Sequence, residues 1–519
     1  MKPTTAVLLS SAGISLWLQI PVFAQGIPLW TNRYDGADNS SDVASAVAVD
    51  GSGDVIVAGR SYATDSSYDY AIVKYSSNGE PLWTNRYNGP GNHEDVAYAV
   101  AVDGSGNVYV TGHSASAAGS ASIDFATVAY SSAGIPLWTN RYNGPGNLID
   151  DARALVVGPN GNVCVTGYSF GAGFSELDYA TVAYSSAGIP LWTNRYNGIG
   201  NNHDFAQALA VDGSNNVIVT GWSPGSTGGP NYTTIKYSNN GMRLWTNHYN
   251  GPGNGSDLAS AVAVDSNGDA IVTGSSSYPT NSSSDYATIK YSRGGVPLWT
   301  NRYNGPANLS DSARSVAVDG SGNVYVTGYS ESGAESGSAD YVTIAYSSAG
   351  IPLWTNRYDG PANSGDRAAA VAVDPSGNVY VTGTSESDAE SGSGDYVTIT
   401  YSNAGIPLWT NRYNGEGNGD DVAYAMAVDG AGNVYVTGSS PGIGALSDYA
   451  TVKFSILLLP IPLNFQIEDG QIVLSWTNAA FSLQSAPTVQ GNYTNIPGAT
   501  SPYANPISAS QQYFRLYAY

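Results

Sequence analysis

A single cysteine, Cys164, stands in a chain of 519 residues. One thiol excludes an intramolecular disulfide and any multi-cysteine metal site, so stability must come from packing. Cations are scarce as well. Nineteen Lys and Arg face 41 Asp and Glu, giving a formal net charge of -22. That field repels a phosphate backbone, which makes nucleic acid and anionic membrane surfaces poor partners. Past the N-terminus no segment reaches the roughly 18 consecutive apolar residues of a membrane span, and no long stretch has helical periodicity. Histidine is sparse too: His93 and His203 share a repeat position, whereas His113 and His248 occupy others, so the four form no repeated metal set.

What the chain has in quantity is Gly (62), Tyr (38) and Trp (11), a composition suited to short strands joined by tight turns. The N-terminus reads as an export leader: Lys2, an apolar stretch from Ala6 to Leu18, then the small-residue site Val22-Phe23-Ala24. Cleavage is expected after Ala24. No Cys follows the apolar stretch, so nothing supports a lipoprotein anchor, and the mature chain is expected to be secreted or associated with the cell envelope, more simply as a monomer.

Trp30, Trp83, Trp138, Trp192, Trp245, Trp299, Trp354 and Trp409 each lie in an LWTN tetrapeptide, recurring every 53 to 55 residues. Between them the order is fixed: an Ala/Val run such as Val96 to Val102, a DGSGN turn, a run Val108 to Thr111, a loop, a run of the form DFATVAYS, a turn SAGIP, and LWTNRY. Four short strands, A to D, account for one unit. Alternation in strand A sets Ala97, Ala99 and Ala101 on one face and Val100 and Val102 on the other. Small side chains suit the narrow inner part of a ring of blades, and the large Trp and Tyr of strand D its wider rim.

The first LWTNRY precedes any strand A, and the last A, B and C strands, ending at Phe454, lack one. If Leu29 to Tyr34 completes that last blade, the ring closes without an unpaired edge. The expected fold is therefore all-β: residues 1–24 a leader, 25–455 an eight-bladed β-propeller of four-stranded blades closed by the N-terminal strand, 456–462 a linker, and 463–519 a small C-terminal β module. An open solenoid is the alternative.

The pattern D-x-A-x-AVAVD, GSGN, VYVTG, DYATVAYSSAG and LWTN resembles the bacterial SBBP-type β-propeller repeat over about residues 34 to 454. The resemblance implies a fold, not a chemistry, and eight copies imply eight blades. The turn from strand C to strand D, Gly134-x-x-x-Trp138 and its counterparts, is similar to the tryptophan-docking motif of the eight-bladed quinoprotein propellers. That similarity implies that the eight Trp residues pack between adjacent blades.

Recognition is expected on the face carrying the B-to-C and D-to-A loops, because B-to-C loops vary in length while the opposite turns do not. Each D-to-A loop ends in an acid: Asp42, Asp95, Asp150, Asp204, Asp257, Asp311, Asp366 and Asp421. These either ring the channel with carboxylates, favouring Ca²⁺ or a cationic ligand, or accept backbone N–H groups and fix the turn into strand A. A second acid opens strand C (Asp69, Asp124, Asp178, Asp285, Asp340, Asp395, Asp448), with Asn231 in one copy, and strand D carries an Arg replaced once by His248. That Arg could bind anions, but pairing with a neighbouring acid or simple solvation is the simpler expectation. Cys164, on a B strand, reads as a core residue. No catalytic set emerges, since an active site needs blades that differ. The function expected is non-catalytic binding or scaffolding of a glycan or protein, with no cofactor beyond possible Ca²⁺. The alternative is a propeller enzyme, a quinoprotein-like dehydrogenase or polysaccharide-active enzyme. The lone Cys cannot form the vicinal disulfide that the quinoprotein resemblance would imply.

Overall fold

The computed structural model describes residues 28–455, apart from short stretches in the loops (37, 65–66, 117–121, 173–175, 226–228, 279–282, 334–337, 388–392 and 443–445), and parts of 464–518. The leader, its cleavage site and the linker 456–462 lie outside the described residues.

Eight four-stranded antiparallel sheets follow one another, each strand paired with its sequence neighbour. Blades 1 to 7 span 42–87, 95–142, 150–196, 205–249, 257–303, 311–358 and 366–413. In blade 2 strand A is Asp95–Val102, B is Val108–Ala115, C is Ile123–Tyr130 and D is Pro136–Tyr142. Blade 8 takes its first three strands from Val422–Val428, Val434–Pro441 and Ser447–Phe454, and its fourth from Pro28–Tyr34. The two chain ends meet in register, Pro28 opposite Phe454 and Tyr34 opposite Tyr449.

Two periodic devices set the blades against one another. Strand-C tyrosines reach across the inter-blade core: Tyr70 Oη donates to the Ala126 carbonyl (3.1 Å), and the ring is completed by Tyr449 Oη donating to Ala71 (3.1 Å). In blade 2 Phe125 takes this place. The apolar layer at each joint mixes both blades, as where Ile56, Ala58 and Tyr70 pack with Ala97, Val108 and Val110. The A-to-B turns are hairpins in which Gly106 adopts φ of 79° while Asp103 accepts the Ser105 and Asn107 amides.

Strand A departs from simple alternation. The register slips between Ala97 and Ala99, and the same slip recurs in all eight blades. Tyr98 is thus a β-bulge residue, and the extra residue shifts the phase. As a result Ala97 packs with Val100 and Val102 on the blade 1 side, not with Ala99 and Ala101. Strand B also runs beyond the VTG glycine, to Ala115, so the loop starts later than the sequence suggests. Gly112 marks the close approach of strand A: a Cβ there would meet the Val96 carbonyl oxygen at 1.9 Å.

Ile456–Tyr519 falls in a separate unit from Gln25–Ser455. Its described strands form two three-stranded sheets, one from Asn464–Glu468, Gln471–Ser475 and Tyr503–Pro506, the other from Phe481–Ala486, Thr494–Asn495 and Tyr513–Ala518. Ile472, Leu474, Trp476, Leu483 and Phe514 make its core.

Candidate functional site at the channel mouth

The repeated polar residues are bound up inside the blades. Each of the eight strand-A aspartates, Asp42 through Asp421, is no more than 1% exposed. Each accepts the amide of the glycine six residues earlier at 2.6–2.7 Å, as from Gly89 to Asp95. Burial pushes all eight carboxyls up, those of Asp150, Asp204 and Asp366 to about 6. Seven strand-D arginines (Arg33, Arg86, Arg141, Arg195, Arg302, Arg357, Arg412) pair with the strand-C aspartates at 2.6–3.0 Å. The same guanidinium groups donate to the strand-B serine hydroxyl, as Arg86 does to Ser61, and that hydroxyl lies against the strand-A carboxylate. All four strands of a blade are therefore tied at one end, and the Arg also reaches the Tyr hydroxyl of the preceding blade, as Arg141 reaches Tyr87 (3.2 Å).

The strand-D tryptophans bridge blades at the opposite end. Seven indole Nε1 groups donate to the C-to-D turn of the next blade, as Trp83 does to the Ser132 carbonyl (3.1 Å), and the nearby Asn85 donates to Gly134 (2.8 Å). Trp409 and Asn411 face blade 8, which is interrupted at that turn. Both are 2% exposed, and Trp409 Nε1 and Asn411 Nδ2 have no acceptor among the described residues. Cys164 is buried and its thiol is pushed up to about 12 by burial, far from a reactive thiolate.

Among the described residues two blade junctions bring three carboxylates within 4.8 Å of one another: Asp35, Asp42 and Asp448 where blade 8 meets blade 1, and Asp340, Asp359 and Asp366 where blade 6 meets blade 7. In both, an Arg already reaches one member, Asp448 or Asp340. At the position of Asp35 and Asp359 the other six blades have Asn.

Variation is concentrated elsewhere. The strand-A bulge residue is Ser45, Tyr98, Arg153, Gln207, Ser260, Arg314, Ala369 and Tyr424 in blades 1 to 8. All eight line two depressions at the centre of the ring, on the side of the D-to-A loops. One, of about 460 Å³, takes in Ser45, Tyr98, Arg153, Gln207 and Tyr424, and the other, of about 720 Å³, takes in Gln207, Ser260, Arg314, Ala369 and Tyr424. Gln207 and Tyr424, from opposite blades, border both. The residue after the strand-B glycine (Arg60, His113, Tyr168, Trp222, Ser275, Tyr329, Thr384, Ser439) varies in the same way and stands opposite a second variable strand-A position, as Tyr168 stands opposite Asp151.

In the smaller lobe Arg153 is paired with a buried acid. Asp151 accepts Arg153 at 2.7 Å and Tyr168 Oη at 2.8 Å, with His113 Nδ1 at 3.3 Å. The Arg153 guanidinium lies 4.8 Å from the Tyr98 ring centroid, and burial together with Asp151 pushes the Tyr98 hydroxyl up to about 12. The larger lobe is open. Arg314 and Arg367 each lie 5.5 Å from the Tyr329 ring centroid. Trp222 stacks on Phe205 at 4.2 Å and lines the same lobe. A groove of about 760 Å³ between blades 1 and 2 lies at the opposite end, lined by residues of the repeated turns such as Asp50, Gly104 and Ser132.

Four segments, 83–117, 299–333, 360–388 and 409–443, match the SBBP β-propeller repeat model. No curated protein matches the chain. Among solved structures the chain is similar to a protein of unknown function from Dyadobacter fermentans (11% identity, 84% of this chain and 100% of that one, TM-score 0.41). It is also similar to Drosophila plexin A in complex with semaphorin 1b (9%, 83% and 88%, 0.38) and to the β-propeller domain of the trilobed protease from Pyrococcus furiosus (9%, 70% and 93%, 0.37). The eight four-stranded blades make the chain a β-propeller, and four of its segments carry the SBBP β-propeller repeat.

Proposed function

We propose that this is an exported, non-catalytic binding propeller, which engages a glycan or a protein through the mouth of its central channel. One observation carries the reading: in a chain whose repeats are otherwise nearly identical, the positions that differ from blade to blade converge on one concave surface. A structural role would be served by the same residue eight times, whereas Ser, Tyr, Arg, Gln and Ala in one ring give a surface that only a particular ligand fits. The acid beneath the mouth-lining Arg153, Asp151, is buried and held by Arg153, Tyr168 and His113, which favours positioning over proton transfer. Export rests on the leader sequence, and Ca²⁺ uptake, if it contributes, would use the two carboxylate triplets.

A glycan array together with capture of surface proteins from the native host tests the reading. Saturable binding that is weakened at least tenfold by Tyr424→Ala and Gln207→Ala is expected. Binding that survives both changes would move the site away from the mouth.

A further inference from the structure

We infer that the larger lobe of the channel mouth is an acceptor for a carboxylate-bearing saccharide, clamped between Arg314 and Arg367. This rests on the reading of the mouth as a ligand site and specifies its chemistry. The argument starts from charge. In a chain with 19 cations against 41 acids, counter-ions are abundant, and seven strand-D arginines, Arg153 and three strand-C lysines all have acid partners. Arg314 and Arg367, like Arg60, Arg243, Arg293 and Lys453, make no ion pair among the described residues, but these two come from adjacent blades, lie over the same Tyr329 ring and line the same lobe. Glu331, the acid at the end of the Tyr329 strand, turns to the Ser310 amide instead (3.2 Å).

Two like charges, each 5.5 Å from one ring centroid and lining one lobe, repel one another, and an oxyanion bound by both removes that cost. Planar guanidinium groups match a carboxylate through paired N–H donors. The rest of the lobe argues for a sugar carrying that anion. Trp222 and Tyr424 offer apolar faces to a ring, and Gln207, Ser260 and Thr384 offer hydrogen bonds to hydroxyl groups. The volume of about 720 Å³ accommodates a few sugar units. A long polyphosphate would project beyond the two arginines into the field of a protein with net charge -22, whereas a short acidic saccharide need not.

Calorimetric titration of the exported protein with a galacturonate trimer and with the neutral galactose trimer tests this, in the wild type and in Arg314→Gln and Arg367→Gln. Thermal scans run alongside. The acidic probe is expected to bind at least tenfold more tightly than the neutral one, to weaken with added salt, and to lose at least tenfold in either variant. Melting temperatures are expected to stay level or rise as the repulsion is relieved. Equal binding of both trimers, or acidic binding unchanged in both variants, overturns the arginine clamp while leaving the mouth as a binding site. No binding of either trimer overturns the acidic-saccharide assignment, and the wider binding reading is then decided separately by the array and its Tyr424 and Gln207 variants.

Discussion

Asn231 and His248 lie on adjacent strands of blade 4, in the two places where the other seven blades hold an Asp and an Arg. The charged pair has been exchanged as a unit for a neutral one. His248 Nδ1 meets Thr233 Oγ1 at 3.0 Å and Nε2 meets the Tyr196 hydroxyl of the preceding blade at 3.3 Å, so the inter-blade tie survives without the ion pair. Burial lowers the imidazole pKa, consistent with a neutral ring. His248→Arg alone would place a partly exposed guanidinium opposite Asn231 without its carboxylate and is expected to cost up to about 1 kcal/mol. The double change Asn231→Asp with His248→Arg is expected to recover most of that loss. Denaturant unfolding of the full cycle measures the coupling, and additive single effects would show that the two sites are independent.

The buried acids set an unusual pH dependence. Asp150, Asp204 and Asp366 titrate near pH 6 in the fold, against 3.8 for an ordinary Asp. Between those values the folded ring holds protons that the unfolded chain has released, so stability falls as pH rises from about 4 to about 6. The turn acids act in the opposite sense. Burial opposes ionisation of Asp103, yet the Asn107 and Tyr109 side chains and the turn amides bring its carboxyl below the usual range, a contribution lost in stronger acid. A Tm maximum near pH 4 is expected, with a decline up to about pH 6 that flattens when the three acids become Asn. A Tm that rises steadily from pH 5 to 8 would contradict this.

The seam makes Trp409 unlike the other strand-D tryptophans. It is 2% exposed and its Nε1 lacks an acceptor among the described residues, whereas Trp192 is partly exposed and donates to the Asn239 carbonyl. Trp409→Ala is expected to cost about 3–5 kcal/mol and Trp192→Ala less. The order reverses for phenylalanine, since Trp409→Phe removes a stranded donor and Trp192→Phe breaks a hydrogen bond. Unfolding of the four variants checks both orders.

Calcium titration separates the eight-acid ring from the two triplets. Uptake is expected to saturate at no more than two ions per chain, with one lost in Asp35→Asn and one in Asp359→Asn. A stoichiometry near eight would assign the metal to the strand-A aspartates.

Much of this architecture is legible in the residues, because a 53–55-residue period fixes blade number and the displaced LWTNRY fixes closure. The bulge is not, since Tyr98 sits in an alternating Ala/Val run that reads equally well as a regular strand. Its signal lay in comparing copies: D-x-A-x-A varies at both x positions while its neighbours change only at Ser315, and the second x lines the mouth in every blade. Loop length pointed to the same face, but attention to the repeated Asp led away from the site, because a carboxylate present in every blade is just what holding a turn requires. That the strand-D Arg pairs with an acid was legible, but which acid needed three dimensions, as Arg86 and Asp69 lie 17 apart on neighbouring strands.

Closure of blade 8 by Pro28–Tyr34 has a consequence for biogenesis. The strand made first is the strand that docks last, with more than 400 residues to be produced before its partner Ser447–Phe454 exists. At about 5–20 residues per second that wait is on the order of tens of seconds. Throughout it, a segment carrying Leu29 and Trp30 has an open edge, and so does the growing end of the array. A chain cut short in any blade leaves both edges unpaired, which gives folding factors and proteases a direct means of telling a finished ring from an unfinished one.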